Sequence, residues 1–407
     1  MNMHHPTATR AAGEILLKNF TPLMGSRYEY GRNTDRGPGM HHSVSMLSPY
    51  LRRRLVTERD AVASALGAHG QSNAGKFIQE VIWRGYFKGW LECRPKVWAA
   101  YRDCLQRDLF RLDEDSSLRG KVDRAEEGGT GVVCFDAWVR ELVETGYLHN
   151  HARMWFASIW IFTLGLPWRL GADFFYRHLL DGDPASNTLS WRWVAGLHTR
   201  GKPYEAKAAN IAKFTDGRFV PLAKDLAVNI QGLEYLEPKC LSDMQPLRKP
   251  LPPNPSIPAI FLITEEDCRS EDFDHLSLDI RASATLSASH LRSPRDVSSQ
   301  VATFEAGALA DAADRAGLDI EKMRADEFNG LIRLAERAGT RQIVTPYLPV
   351  GPLRDWFDKA ASALDAAGIT LTECRRDWDT AIWPHSTAGF FKVKKKIPLI
   401  LHEVGLT

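Results

Sequence analysis

The sequence predicts an α + α/β protein, in which an all-helical domain is followed by a small parallel α/β layer domain. Before about residue 255, apolar residues recur at three- and four-residue spacing, and no strand pattern interrupts them. Beyond that point, short apolar runs alternate with helical segments. The stretch 247–258 is rich in proline, so we expect domains at 1–246 and 259–407 joined by a stiff, extended linker.

The individual elements follow from the same periodicities. The predicted helices of the first domain, each bounded by Gly, Pro or Asp, are Lys76–Leu91, Phe135–Gly146, His149–Leu164 and Gly171–Leu180. The predicted strands of the second domain are Ala259–Thr264, Gln342–Pro346 and Ile369–Thr372. Its predicted helices are Phe304–Ala316, Glu327–Ala338 and Leu353–Ala367.

Composition places the chain among ordinary globular proteins. Of its 407 residues 44% are apolar and 25% are charged, and the formal net charge is +2. No apolar run is long enough to span a bilayer, and the first twenty residues contain no apolar signal core, so we expect a cytoplasmic protein. The six cysteines form no CxxC pair, and we predict neither a disulfide framework nor a metal site, although one built from distant cysteines stays open.

Two constellations on the predicted helices fit a polar heteroaromatic ligand. Asn150, Arg153 and Met154 fall at i, i+3 and i+4 and therefore share one helix face. Asp183 precedes a proline and is predicted to cap a helix on which Asn187 follows one turn later. The alternative is a pair of buried helices whose polar side chains satisfy neighbouring backbone. Six of the twelve tryptophans lie between residues 138 and 193, where an aromatic core is the simplest explanation.

Two further constellations lie upstream. Glu80, Trp83 and Arg84 share a helix face, and the alternative there is a surface Glu–Arg pair of little energetic value. Ser45 and Ser48 stand just before a helix, where hydroxyls and free backbone N–H groups form a plausible pyrophosphate cradle. Ordinary N-capping is the alternative. The sequence contains no Walker-type glycine loop and no GxGxxG at a strand-to-helix junction.

Taken in order, the motifs S-x-L-S-P-Y-L, E-x-I-W-R, G-Y-L-H-N-x-x-R-M, L-L-D-G-D-x-A-S-N and W-x-W resemble the FAD-binding domain of the photolyase/cryptochrome family. The resemblance covers roughly residues 40–200 and is closest to the cyclobutane pyrimidine dimer photolyases. It implies FAD as the cofactor. The residues that it implies for FAD binding are Ser45, Met46, Leu47, Ser48, Phe77, Arg84, Asn150, Arg153, Asp181, Asp183 and Asn187. Arg153 and Asp181 are implied as an ion pair beside the flavin ring, with Asn187 near its N5 atom.

The resemblance also implies an activity, that of a deoxyribodipyrimidine photo-lyase. Such an enzyme repairs pyrimidine dimers in DNA by light-driven electron transfer from photoexcited reduced FAD. The residues that match its lesion pocket are Glu80, Trp83, Met154 and Trp193, and those implied in catalysis are Glu80, Asn187, Trp191 and Trp168. The last two match the first members of an electron relay whose third tryptophan has no counterpart. The alternative is a cryptochrome-like blue-light photoreceptor without repair activity.

The expected partner is DNA, and a single-stranded substrate stays open. Its phosphate contacts are expected from Arg192, Arg200, Lys202, Lys207 and Lys213. Relatives place an α/β antenna domain before the FAD domain, whereas this sequence predicts an α/β segment after it. The stretch Ile369–Pro398 is similar to the end of such a domain. Because the segment is short, we expect no second antenna chromophore.

Overall fold

A computed structural model describes residues 6–273, 277–326 and 328–407. Glu327, the first residue of one predicted helix, lies outside the described residues. The helices that precede the sheet are α1 (Arg10–Phe20), α2 (Ser26–Gly31), α3 (Ser48–Arg52), α4 (Glu58–Glu92), α5 (Pro95–Glu114), α6 (Ser116–Glu126), α7 (Val133–Thr145), α8 (Asn150–Ser158), α9 (Trp168–His178), α10 (Pro184–Val194) and α11 (Ala208–Phe214). No helix in the described part of the chain is long and apolar enough to cross a membrane.

Helix α4 is the central element of this helical part. It begins with a reciprocal cap, in which the Thr57 hydroxyl accepts a hydrogen bond from Asp60 N and the Asp60 carboxylate accepts one from Thr57 N, both 3.1 Å long. At Gly70 the backbone adopts a φ of 68°, which breaks the helix into two parts. The second part packs against α10 and carries the residues of the candidate site.

The other predicted helices are confirmed, with shifts of a few residues at their ends. Helix α8 continues into a π-helical turn, Ile159–Thr163, so the predicted continuous helix changes its winding there. Helix α10 begins as predicted, because the Asp183 carboxylate accepts a hydrogen bond of 2.7 Å from Ser186 N. Helix α10 in turn packs against α4, α8 and α9.

The second part of the chain is built on a five-stranded sheet. Its strands are β1 (Ala259–Thr264), β2 (Ile280–Ser287), β3 (Ile320–Arg324), β4 (Gln342–Pro346) and β5 (Thr370–Cys374). All neighbours are parallel, in the order β3-β2-β1-β4-β5. Strands β1, β4 and β5 confirm the predicted runs. Strands β2 and β3 were not predicted, because β2 is built largely of Ser, Ala and Thr and β3 is a mostly polar edge strand.

The sheet is covered on both faces, which gives the predicted α/β layers. Phe261 and Ile263 point into the large core that the sheet shares with α12 (Ser299–Ala316) and the helical part. Ile260 and Leu262 point the other way, into a smaller core. The helices of that core are α13 (Asn329–Ala338) and α14 (Pro352–Ala366). Residues 247–258, all of them described, form neither helix nor strand, as the proline content predicts. The predicted domain boundaries themselves stay a prediction.

After β5 the chain returns to the helical part. The returning elements are α15 (Asp377–Ile382), a 3-10 turn (Trp383–His385), α16 (Phe390–Lys394) and α17 (Ile397–Glu403). They reach α4 at Gly85 and Gly89, one helical turn apart. A β-carbon on Gly85 would lie 2.9 Å from a methyl of Ile382, and one on Gly89 would lie 2.8 Å from the backbone of Trp383. The two glycines therefore permit this close approach.

Three consecutive arginines, Arg52–Arg54, are buried against three consecutive acids, Glu265–Asp267, at the carboxyl end of β1. We call these six residues the Arg–acid cluster. Its pairs are Arg52–Glu266 (2.9 and 2.7 Å, bidentate), Arg53–Glu265 (3.2 Å) and Arg54–Asp267 (3.3 Å). Burial lowers the pKa of Arg53 to about 10. Although burial alone raises the pKa of Glu265, the facing arginines lower it to about 2. The cluster joins the helical part to the sheet.

Replacing Glu266 by alanine is expected to destabilise the protein by about 3–5 kcal/mol, because it leaves the Arg52 charge buried without its bidentate partner. The matched control is Glu321→Ala, which breaks the exposed pair between Arg337 and Glu321 (2.7 Å) and should cost about 0–1 kcal/mol. Urea unfolding measures both. Equal losses would contradict the importance assigned to the cluster.

A second pair of variants tests the close approach on α4. Gly89→Ala should destabilise by about 1–3 kcal/mol, because the added carbon meets the backbone of Trp383. Gly75→Ala lies in the same helix, where a β-carbon meets nothing within 4 Å, and should stabilise by about 0.5–1 kcal/mol. Thermal unfolding measures the two shifts, and shifts of the same sign would contradict the packing described.

Candidate functional site

The predicted ion pair between α8 and the loop before α10 is present. Arg153 Nη2 lies 2.9 Å from Asp181 Oδ2, and Arg153 Nε donates to the Leu148 carbonyl at 2.8 Å. Burial alone raises the pKa of the Asp181 carboxyl, but the Arg153 charge and a hydrogen bond from Ser48 hold it below its usual range. The contact with Ser48 brings the predicted phosphate-contacting stretch next to this pair.

Asp183 lies at the bottom of the same region and is fully buried. Lys88 Nζ on α4 lies 3.7 Å from Asp183 Oδ2, and Arg52 Nε lies 4.0 Å from the same atom. Burial raises the pKa of Asp183, but Lys88, Arg84 and Arg52 hold it well below the usual range of a carboxyl. Lys88 was not predicted, although its place one helical turn after Arg84 was a usable signal. Through Arg52, the site touches the Arg–acid cluster.

Several buried polar atoms here have no hydrogen-bond partner within the described chain. They are Nε and Nη2 of Arg84, Oδ1 of Asp181 and Oδ2 of Asp183. The Glu58 carboxylate lies 3.7 Å from Arg84 Nε. A buried polar group without a hydrogen bond costs about 1–3 kcal/mol, so a ligand that pairs with these donors and acceptors would bind favourably here. A ligand with both anionic and heterocyclic polar edges fits this set.

The stretch Ser45–Ser48 has the conformation of a tight turn before a helix. Met46 has a φ of 55°, Leu47 N donates to the Ser45 hydroxyl at 3.4 Å, and Ser48 begins α3. Asn187 is buried on α10, and its amide donates to the Ala172 carbonyl at 2.8 Å. That bond fixes the orientation of the amide and leaves its oxygen free to accept.

Two predicted cofactor residues lie differently from the rest. Asn150 is exposed at the first position of α8. Phe77 is buried on α4 and packs edge-on against Tyr28, with ring centroids 5.2 Å apart. Their predicted cofactor contacts stay predictions.

Glu80 does not form the surface pair with Arg84 that the sequence offered as an alternative. Its carboxylate lies 3.0 Å from Arg32 Nη1 and 3.2 Å from Lys76 Nζ. About a quarter of the side chain is exposed, at 24%. Arg32 was not predicted, because it follows the last residue of α2 and lies 48 residues from Glu80 in sequence. The carboxylate is thus positioned by two cationic side chains and partly accessible.

Trp83 is half-buried, and one of its faces is covered by Phe390 of α16. The two rings stack with centroids 3.8 Å apart and planes 12° apart. Tyr86 contacts Trp83 edge-on at 5.3 Å. The structure therefore places an aromatic ring of the chain itself against a residue that the resemblance assigns to the lesion pocket. Phe390 was not predicted, because it lies 307 residues further along the chain.

The other two predicted pocket residues are half-buried on neighbouring helices. Met154 lies on α8 and Trp193 on α10, which packs against both α8 and α4. Trp193 contacts Tyr204, with ring centroids 5.3 Å apart. The helices that carry the predicted pocket thus pack together.

The two predicted relay tryptophans are buried. Trp191 meets Phe175 edge-on at 5.1 Å. Trp168 packs against Tyr101 at 5.7 Å, and Tyr101 packs against Trp98 at 5.5 Å. The Trp98 indole donates to the Asp355 carboxylate at 2.7 Å. This aromatic chain runs through α5, where the sequence showed no third relay residue at the expected place.

The predicted phosphate contacts need one correction. Arg192 is buried, with 1% of its surface exposed, and lies 2.7 Å from Glu237 Oε1. Its charge is therefore neutralised inside the protein, and the prediction that it contacts DNA is wrong. Arg200, Lys202, Lys207 and Lys213 are exposed. Arg200 donates to the carbonyls of Glu234 and Glu237, which limits its reach.

One acidic group has the spacing of a metal site. Ligand atoms of Asp35, His41 and Glu141 lie within 4.8 Å of one another. Arg218 already lies 2.5 Å from the Asp35 carboxylate, and His41 Nε2 lies 2.9 Å from Glu141 Oε1. A cation would have to compete with the guanidinium, so the group is better explained as an ion-pair cluster. Burial raises the pKa of the Glu141 carboxyl, and a bond from His41 opposes that rise.

Comparison with known proteins assigns the helical part. Residues 77–218 match the family model described as the FAD binding domain of DNA photolyase. A deoxyribodipyrimidine photo-lyase of Streptomyces griseus is 36% identical over 193 residues, which cover 47% of this chain and 40% of that protein. One of Thermus thermophilus is 36% identical over 176 residues, which cover 43% of this chain and 40% of that protein.

The crystal structure of a bacterial class III photolyase from Agrobacterium tumefaciens aligns with a TM-score of 0.40 and 27% identity, over 51% of this chain and 44% of that chain. The chain thus spans less than half the length of these relatives. The family match includes Arg84 on α4 and Asp181 and Asp183 just before α10, which carry the atoms without hydrogen-bond partners. Residues 77–218 are therefore a FAD-binding domain of the DNA photolyase family, and FAD is the cofactor of this domain.

Proposed function

We propose that this protein is a deoxyribodipyrimidine photo-lyase that repairs cyclobutane pyrimidine dimers in DNA by light-driven electron transfer from reduced FAD. The observation that carries the proposal is the set of buried polar atoms of Arg84, Asp181 and Asp183 that have no hydrogen-bond partner within the described chain, together with the partly exposed Glu80 carboxylate on the same helix as Arg84. The relatives of the matched segment are named deoxyribodipyrimidine photo-lyases, which favours the same substrate.

The cofactor is held, in this proposal, by the residues around those atoms. Arg84 and the Ser45–Ser48 turn supply donors for the phosphates and polar edges of FAD. Asp181 is fixed by Arg153, and Asp183 by the cap of α10 and by Lys88, so the two carboxylates keep their geometry. When bound in its reduced form, FAD supplies the photoexcited electron that opens the cyclobutane ring and returns to the cofactor afterwards.

The remaining residues act on the substrate. Glu80 orients the dimer by accepting a charge-assisted hydrogen bond from a pyrimidine N–H group, and Arg32 and Lys76 hold its carboxylate in position. Trp83 and Trp193 offer indole rings to bases that have left the duplex or belong to a single strand. Met154, half-buried on α8, offers the substrate an adaptable apolar side chain. Asn187, oriented by the Ala172 carbonyl, presents its amide to the flavin.

Arg84→Met is expected to weaken FAD binding by about ten- to a hundredfold while leaving the stability of the FAD-free protein within about 1 kcal/mol of the original. The reason is that Nε and Nη2 of Arg84 donate no hydrogen bond within the described chain, so their removal breaks none there. Arg169→Met is the control, since Arg169 donates two hydrogen bonds to Asp108 at 2.6 and 3.0 Å and its loss should destabilise the FAD-free protein. Fluorescence titration of FAD and urea unfolding separate the two effects. An unchanged FAD affinity in Arg84→Met would remove Arg84 from the site.

Repair is tested with purified FAD-loaded protein, chemically reduced and illuminated with blue light in the presence of dimer-containing oligothymidine. The absorbance of intact thymine should return on both single- and double-stranded substrate. Glu80→Gln should slow this by about tenfold or more, because the amide cannot supply the carboxylate's charge-assisted hydrogen bond. Glu29→Gln, at an exposed position of α2, should leave the rate unchanged. Absence of repair at every light dose would contradict the proposed activity.

A blue-light photoreceptor without repair is the second candidate, and the stack of Phe390 on Trp83 favours it. In that case Phe390 of α16 occupies the substrate position on Trp83 permanently. If the original protein shows no repair, the repair assay on Phe390→Ala distinguishes a blocked photo-lyase from a photoreceptor. Repair gained by the variant identifies Phe390 as a block on a repair site, whereas an inactive variant that still binds FAD leaves the photoreceptor as the remaining candidate.

A further inference from the structure

The C-terminal segment that returns to the helical part, α15 to α17, carries an unusual charge pattern. From residue 381 to residue 402 the sequence contains no Asp or Glu, and it contains Lys392 and Lys394–Lys396. All four lysines are exposed, and none of them takes part in an ion pair with any described residue. Val393 and Ile397 point inward and anchor the segment in the core. The lysines therefore form a fixed, uncompensated basic surface.

An exposed aromatic ring lies at the start of this surface. Phe391 is 77% exposed, while its neighbour Phe390 is buried and stacks on Trp83. A large apolar side chain with this exposure gains nothing from the fold of its own chain. The ring and the lysines share α16, which Phe390 attaches directly to the FAD-binding domain. The basic surface therefore begins two residues after the ring that covers Trp83.

We propose that the segment Phe390–Lys396 binds single-stranded DNA, with Phe391 stacking on a base and the lysines contacting phosphates. The proposal rests on the proposed function only in taking DNA as the partner. Aromatic side chains interleaved with basic residues bind single strands because every base offers a π-face and every nucleotide a phosphate. The segment supplies both groups within seven residues, on the border of the site where bases are expected.

An anionic membrane surface is the competing partner for a basic segment with an exposed apolar ring. The inward positions of the segment, Val393 and Ile397, are already buried in the protein core. Beyond Phe391, only Leu399 is an exposed large apolar side chain of this region, at 42%. That leaves too little apolar surface for insertion between lipids. The charge pattern and the contact with Trp83 favour DNA.

The test uses the full-length FAD-loaded protein in the dark, with fluorescein-labelled, undamaged oligothymidine as the probe. Anisotropy titrations at several salt concentrations give the affinity and its salt dependence. The triple variant Lys392→Glu, Lys394→Glu and Lys395→Glu should bind at least tenfold more weakly, and the slope of log affinity against log salt should fall by roughly 2. The control triple variant reverses three exposed lysines elsewhere, namely Lys96, Lys121 and Lys224. It should bind within about threefold of the original.

Phe391→Ala tests the stacking separately. It should weaken binding by about tenfold with an unchanged salt slope, because no charge is lost. Phe391→Trp supplies a direct signature, since its added indole emission should be quenched as oligothymidine binds. The FAD absorbance and the urea midpoint of each variant confirm that the changes at these exposed positions leave the fold intact.

The possible outcomes separate this inference from the proposed function. If the original protein repairs no dimers and the lysine variant loses oligothymidine binding, the inference is supported and the proposed repair activity is rejected. A protein that repairs dimers while the lysine variant keeps the original affinity and salt slope overturns the inference alone. Co-sedimentation with vesicles of phosphatidylcholine and phosphatidylserine, without binding of oligothymidine, also overturns it in favour of a membrane surface.

Discussion

The Arg–acid cluster is the constraint on which the arrangement of this protein depends. Three adjacent guanidinium groups can be buried only where carboxylates of opposite charge meet them, because an unpaired buried charge costs several kcal/mol. All the partners within the cluster come from the loop after β1, more than 200 residues away in sequence. The helical part and the sheet therefore have to be in place together before either can bury these groups.

The same cluster decides what the sheet can bind. In doubly wound sheets, ligands usually bind at the carboxyl ends of the strands where the strand order reverses, which here lies between β1 and β4. The loop after β1 is filled by Arg52–Arg54, so this part of the crevice serves as an internal interface. Lys88 extends the interface to the cofactor side, since its ammonium lies 3.7 Å from both Asp183 and Glu266. The sheet thereby supports a site in the helical part.

Features that depend on residues close together in sequence could be predicted, whereas features that depend on distant residues could not. The helices, β1, β4, the Asp183 cap and the fold class depend on neighbours a few residues away, which periodicity and capping rules capture. The Arg153–Asp181 pair came from a family resemblance. Partners far apart in sequence could not be predicted, and the burial of Arg192 against Glu237 is the clearest failure, because a charged residue in sequence looks the same whether or not a partner folds over it. Strands β2 and β3 were missed because small and polar residues hide their pattern.

The two sides of the candidate site are in different states, and the difference bears on how it works. On the cofactor side, Arg84, Asp181 and Asp183 have buried polar atoms without a hydrogen-bond partner in the described chain. On the substrate side, the ring of Phe390 already covers one face of Trp83. An aromatic pair contributes about 0.5–1.5 kcal/mol beyond its buried area, and a base stacked on an aromatic side chain contributes about 1–3 kcal/mol. Because displacing Phe390 would also expose its buried ring, the stack keeps one face of Trp83 covered by the chain itself, while the cofactor side keeps its polar atoms open to a ligand.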